Sequence, residues 1–198
     1  TALPAWSGVY IYGTRVIYSA AQKEVTVQLM NQGDRGALVQ AWVDDGDTQT
    51  PPEKLQVPFL VTPPVVKVNA NTGQQLKIKL TKAHLPQDRE SLYYLNVLDI
   101  PPNDANGDRA NTLKFALQNR IKLIYRPTGL PGVNKETFSR IHIKKDGSGL
   151  RIENNSANWL TLANISGTTK INKETLVLAP HANLNIPAAP AADKYTVT

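Results

Sequence analysis

Between Val9 and Asp99 apolar side chains recur at every second position, and clusters of turn-forming residues separate the runs. A period of two sets one side of an extended segment against a core and the other toward water, so the pattern predicts antiparallel strands. The inward sets are Val25, Val27 and Leu29; Val39, Ala41 and Val43; Leu76, Ile78 and Leu80; and Tyr93, Leu95 and Val97. Turns are expected at Asn31–Asp34, Asp44–Asp47 and Asn69–Gly73, where Asn, Asp and Gly cluster. Short strands at this spacing suit a β-sandwich. A brief helical turn is expected at Ala83–Asp88, limited by Pro86.

After the turn-rich stretch Ile100–Ala110, strand-like residues run from Asn111 to Arg126, a segment that could extend roughly 50 Å at ~3.3 Å per residue. Alternation places Leu113, Phe115 and Leu117 on one face and Lys114, Ala116 and Gln118 on the other. Pro127–Gly132 then combines two prolines, which restrict the backbone, with two glycines, which let it bend. The expected organisation is therefore a first domain at 1–126, an elbow at 127–132 and a second domain at 133–198. In the second domain, strands Ser139–Lys144 and Leu150–Glu153 flank the hairpin signal Asp146-Gly147-Ser148-Gly149, and Ile186–Ala192 reads as a loop. The domain is small and ends in the strand-like Tyr195–Thr198, so its last strand is expected to be missing.

Composition supports an all-β reading: Val, Ile and Thr number 15, 12 and 17 of 198 residues, beside 14 Pro and 12 Gly. No apolar run approaches the ~18 residues that span a bilayer, so direct membrane insertion is not expected. The formal charge of +6 favours an acidic partner without marking a polycation. Absence of cysteine removes thiol nucleophiles, thiolate metal sites and disulfides. A start at Thr1 without methionine fits a processed protein or a trimmed chain, and if a signal peptide was removed the mature chain would be exported.

Catalytic chemistry is sparse. His84, His142 and His181 are isolated from one another, Ser148 belongs to a turn, and neither a nucleophile elbow nor a phosphate-binding glycine loop occurs. Asp104, Asn106 and Asp108 alternate like the first ligands of a calcium loop, but Gly107 is misplaced and Phe115 stands where the closing carboxylate belongs. No enzyme, cofactor or metal is expected. Asn154 and Asn164 each open an Asn-x-Ser triplet. The informative residues are cations carried on strands: Arg15 within Gly13–Tyr18, and Arg120, Lys122 and Arg126 near the elbow. Cations in strands beside a cleft are candidates for binding an anion.

Several separated motifs carry a resemblance: Gly13–Tyr18, Val39–Trp42, Phe59–Pro64, Leu85–Leu92, Leu95-Asn96 with Ile100–Pro102, and Arg120–Pro127. In this order they resemble the periplasmic chaperones of the chaperone–usher pathway, which assemble bacterial pili; the short 103–110 loop and lack of cysteine are similar to the short-loop subgroup. The resemblance covers most of residues 8–127 and is weaker beyond. It implies two immunoglobulin-like β-sandwich domains in a boomerang arrangement, acting in the periplasm on pilin subunits that are delivered to an outer-membrane usher. It implies that the chaperone lends a strand to a pilin that lacks one. Arg15 and Lys122 would then clamp the pilin's C-terminal carboxylate, while Leu113, Phe115 and Leu117 fill its groove. It also implies an interdomain ionic link that includes Glu90, for which Lys79 is the available cation; Asp193 is too weakly placed to join it. An exposed apolar strand invites a self-capping homodimer. The competing reading is a basic sandwich that binds nucleic acid through Arg120, Lys122 and Arg126, but no aromatic stacking platform accompanies them and no nucleic-acid partner is expected.

Overall fold

In the computed structural model, which describes residues 8–81, 84–100 and 116–198, the alternating stretch forms β1 (Val9–Ile11), β2 (Arg15–Ser19), β3 (Val25–Asn31), β4 (Ala37–Asp44), β5 (Phe59–Thr62), β6 (Val65–Val68), β7 (Gly73–Leu80) and β8 (Ser91–Ile100). The next described strand is β9 (Leu117–Arg126). Two sheets result, one in the order β1-β3-β7-β5 and the other β2-β9-β8-β4-β6. Their registers bring the inward sets opposite one another. Val27 pairs with Leu76 across β3 and β7, while Ala41 pairs with Val97 and Val43 with Leu95 across β4 and β8. Leu29, Leu76, Ile78, Leu95, Val97 and Leu123 are fully buried.

Tyr18 fastens the two sheets together. Its ring meets Phe59 of β5 edge-on at 5.5 Å, and Phe59 meets Tyr93 of β8 at 5.0 Å. The Tyr18 hydroxyl donates to the Lys23 carbonyl at 3.0 Å and accepts from the Leu80 amide at 3.1 Å. A phenol 1 % exposed thus satisfies both of its roles without water.

Two units are distinguished along the chain, one formed by the described residues of Thr1–His84 and Leu92–Tyr125, the other by Leu85–Ser91 and Arg126–Thr198. The second contains α1 (Lys135–Ser139), β10 (Ile141–Asp146), β11 (Gly149–Asn154), β12 (Leu160–Leu162), β13 (Ile165–Ser166), β14 (Leu176–Leu178), β15 (Asn183–Ile186) and β16 (Thr196–Val197). Strands β10, β11 and β15 make one sheet; β12 with β14 and β13 with β16 make two ribbons. Ile152, Leu160, Leu162, Ile165 and Leu178 form the core. The hairpin forms at its predicted place: Asp146 faces Gly149, Gly147 takes the left-handed φ of 59°, and a Cβ on Gly149 would collide with the Ile186 carbonyl of β15.

Two local expectations need correction. Among the described residues of the 83–88 stretch no helical turn forms, and the chain bends at Gln87–Arg89 instead. Ser139, expected to open a strand, closes α1. Asn134 accepts from the amides of Glu136 and Thr137 at 2.9 and 3.2 Å, while the Asn134 amide donates to Thr137 Oγ1 at 3.0 Å. This capping box overrides the weak helix propensity of Thr137 and Phe138.

Candidate functional site

Arg15 opens β2 and Lys122 lies within β9, its immediate neighbour in the five-stranded sheet. Arg15 is exposed and Lys122 half-buried. Partial burial, with the Arg15 guanidinium beside it, holds the Lys122 ammonium below the ordinary lysine value. A cation depressed by partial burial and by a second cation is improved by an incoming anion, because the anion offsets both the desolvation and the repulsion. A carboxylate, with two oxygens able to accept from both groups, matches the pair.

Leu117, the first residue of β9, is 53 % exposed. An apolar side chain held out to water at the end of a strand is a surface that gains by being covered. Leu113 and Phe115, expected to share its face, lie outside the described residues, as do Asp104, Asn106 and Asp108.

Arg120 and Arg126 are each held by a carboxylate. Arg120 Nη2 reaches Asp44 Oδ1 at 2.6 Å and its Nε reaches Oδ2 at 3.1 Å, while its guanidinium carbon sits 3.7 Å from the centre of the Tyr94 ring. Arg126 Nε donates to Glu90 Oε2 at 2.8 Å. Two of the three cations required by the nucleic-acid reading therefore have their charge met inside the protein, and that reading loses its support.

The ionic link expected between Glu90 and Lys79 is corrected by these contacts. Lys79 is an exposed β7 residue whose ammonium lies 3.7 Å from Glu24, whereas Glu90 is 2 % exposed and takes Arg126. Glu90 Oε1 also accepts the Trp159 amide at 2.9 Å, and the Glu90 carbonyl accepts Trp159 Nε1 at 3.2 Å. Glu90, Arg126 and Trp159 all belong to the second unit.

Sequence reasoning missed the network around Asp44. This residue was placed in a turn, yet it closes β4 and is 2 % exposed, with Asn96 Nδ2 donating to Oδ2 at 2.6 Å and the Gly46 amide donating to Oδ1 at 2.8 Å. Gln118 Nε2 completes the network on Asn96 Oδ1 at 2.9 Å. Burial alone raises the Asp44 carboxyl, but bonds from Arg120, Asn96 and Gly46 outweigh it and leave the group below the ordinary aspartate value. Asn154 is likewise no glycan acceptor: it is fully buried, and its amide donates to the carbonyls of Asn158 and Ala179 at 2.9 and 3.0 Å. Among the described residues no group of three His, Cys, Asp or Glu side chains could hold a metal ion.

Residues 8–131 match the family described as pili and flagellar-assembly chaperone, PapD N-terminal domain. The chain belongs to this family. Among curated relatives, the probable fimbrial chaperone YehC of Escherichia coli K12 is 58 % identical over 179 residues, covering 90 % of this chain and 75 % of the relative. MrkB, a chaperone protein of Klebsiella pneumoniae, is 38 % identical over 193 residues, covering 95 % and 82 %. Among solved structures, the Salmonella enterica SafB chaperone in complex with the SafA pilin superposes with a TM-score of 0.81 at 27 % identity, covering 97 % of this chain and 88 % of that one. The E. coli chaperone DraB gives 0.82 at 27 % identity, covering 96 % and 90 %. The family's fold, two immunoglobulin-like β-sandwich domains, accounts for both sets of strands described above.

Proposed function

We propose that this protein is a periplasmic pilus-assembly chaperone that holds a pilin subunit by strand addition along β9, anchors the subunit's C-terminal carboxylate on Arg15 and Lys122, and passes it to an outer-membrane usher. The observation that carries the anchor is the cation pair itself: two positive groups on neighbouring strands, one held below its ordinary value by partial burial and by the charge of the other. Family membership and the relative solved with a pilin support the subunit as partner. Leu117, and with it Leu113 and Phe115, supplies apolar side chains for the subunit's open groove. Each buried apolar side chain contributes ~1.5–3 kcal/mol before ordering costs, so the stripe provides most of the affinity and the carboxylate sets the register. The work is binding, with no bond made or broken. No helix among the described residues is long and apolar enough to cross a membrane.

The test uses a synthetic peptide spanning the last strand of a pilin, prepared once with a free C-terminal carboxylate and once as the amide. The free acid is expected to bind at least tenfold more tightly than the amide, and Lys122→Ala is expected to remove that difference while leaving circular dichroism unchanged. Equal binding of acid and amide by the parent protein refutes the anchor.

A further inference from the structure

Residues two apart in a strand point to the same side, so β9 carries two cations, Arg120 and Lys122, on one face about 6.7 Å apart. A chain paired along β9 cannot slip by one residue without turning every side chain to the wrong face, but a two-residue slip preserves all facings. On the proposed function, from which this inference follows, a terminal carboxylate slipped by two residues would meet Arg120 in the place of Lys122. The structure takes Arg120 out of that role. Asp44 grips Arg120 through two oxygens at 2.6 and 3.1 Å, Asn96 and Gly46 hold the carboxylate, and the guanidinium lies against the Tyr94 ring. The fork fixes the guanidinium plane and the ring covers one of its faces. Arg120 is thus neutralised and aimed at β4, beyond what an exposed surface pair would achieve, because Asp44 is only 2 % exposed.

We propose that Asp44 is a specificity-determining residue: by quenching Arg120 it leaves Arg15 and Lys122 as the anchor and so fixes the register in which a subunit's terminal strand is held. The three residues beside it serve the same end. Asn96 and Gln118 link β4, β8 and β9 at the level of Arg120, and Tyr94 prevents the guanidinium from swinging outward.

Register is read by cysteine cross-linking. Ala116→Cys, just before β9, is combined with single cysteines at successive positions in the last strand of a co-expressed pilin. With Asp44 intact, one pilin position should dominate the disulfide-linked product. Asp44→Asn should add a second product at the position two residues nearer the pilin C-terminus, and Asp44→Asn with Arg120→Gln should return the pattern to one position. A merely structural role for Asp44 would lower yield without moving the cross-link. Should Asp44→Asn fail to fold, Asp44→Ser, whose hydroxyl can still accept from the Gly46 amide, carries the same expectation. A single unmoved cross-link in the folded Asp44 variant overturns the proposal. Lys122→Ala with Asp44 intact separates the two ideas: loss of all cross-links upholds the anchor, whereas a parental pattern removes the anchor itself.

Discussion

Arg126→Met and Glu90→Leu remove opposite ends of one ion pair, and their costs should differ because the two ends are buried to different degrees. The Glu90 side chain is 1 % exposed and that of Arg126 is 23 % exposed. Without Arg126, an ionised carboxylate stays in the interior with only the Trp159 amide to satisfy it, a situation that costs about 3–5 kcal/mol. Without Glu90, the guanidinium can turn toward water, and the main residual penalty is the orphaned Trp159 amide, about 1–3 kcal/mol. Removing both should recover part of the larger loss, since the buried charge disappears with its partner. Equilibrium urea unfolding followed by tryptophan fluorescence measures this, with Trp159 beside the pair as a local probe. At an m-value near 2 kcal/mol/M, Arg126→Met should lower the midpoint by about 1.5–2.5 M and Glu90→Leu by about 0.5–1.5 M. An Arg126→Met loss no larger than that of Glu90→Leu, or a double variant below Arg126→Met, would refute the burial argument.

Three further outcomes follow from the same contacts. Binding of the free-acid pilin peptide should weaken as pH rises toward the depressed Lys122 value, sooner than an ordinary lysine at 10.5 would allow; because the charged form is what binds, Lys122→Arg should move that loss to higher pH, measured by fluorescence anisotropy. Asp44 has a folded value below 3.8, so its stabilisation is complete above the unfolded value and is lost as pH falls through the lower folded one; Asp44→Asn should flatten that acid decline in urea midpoint. Tyr18→Phe strands the Lys23 carbonyl and the Leu80 amide and should cost about 1–3 kcal/mol in the same unfolding assay, a neutral result showing that water replaces the hydroxyl.

The strands of the first unit were legible because each inward set is a local, period-two signal, and Val39, Ala41 and Val43 of β4 are all buried as that signal requires. The 146–149 hairpin was legible for a similar reason, since its glycines sit where only glycine fits. Legibility failed where partners are remote. Asp44 meets Arg120 across 76 residues, and nothing near Asp44-Asp45-Gly46-Asp47 distinguishes a buried carboxylate from a solvated turn. The cation for Glu90 was misassigned on the same grounds. Lys79 was the cation available to the resemblance, whereas the chain brings Arg126 to Glu90 from 36 residues away. Arg15 and Lys122 were singled out by strand position and family motif, and their adjacency became visible only once β2 and β9 were neighbours.

The segment Leu85–Ser91 gives the second unit a history as well as a structure. Synthesis delivers this segment before β8 and β9, but Trp159, which bonds both its carboxylate and its carbonyl, arrives 69 residues later. Contacts at such separation are closed late and at an entropic cost that grows with the intervening loop. A chain emerging from its N-terminus must therefore carry Glu90 in a waiting state while the first unit assembles on either side of it. Any fragment cut after Tyr125 would begin the second unit without the residue that Arg126 and Trp159 require, so the two units are made in an interleaved order.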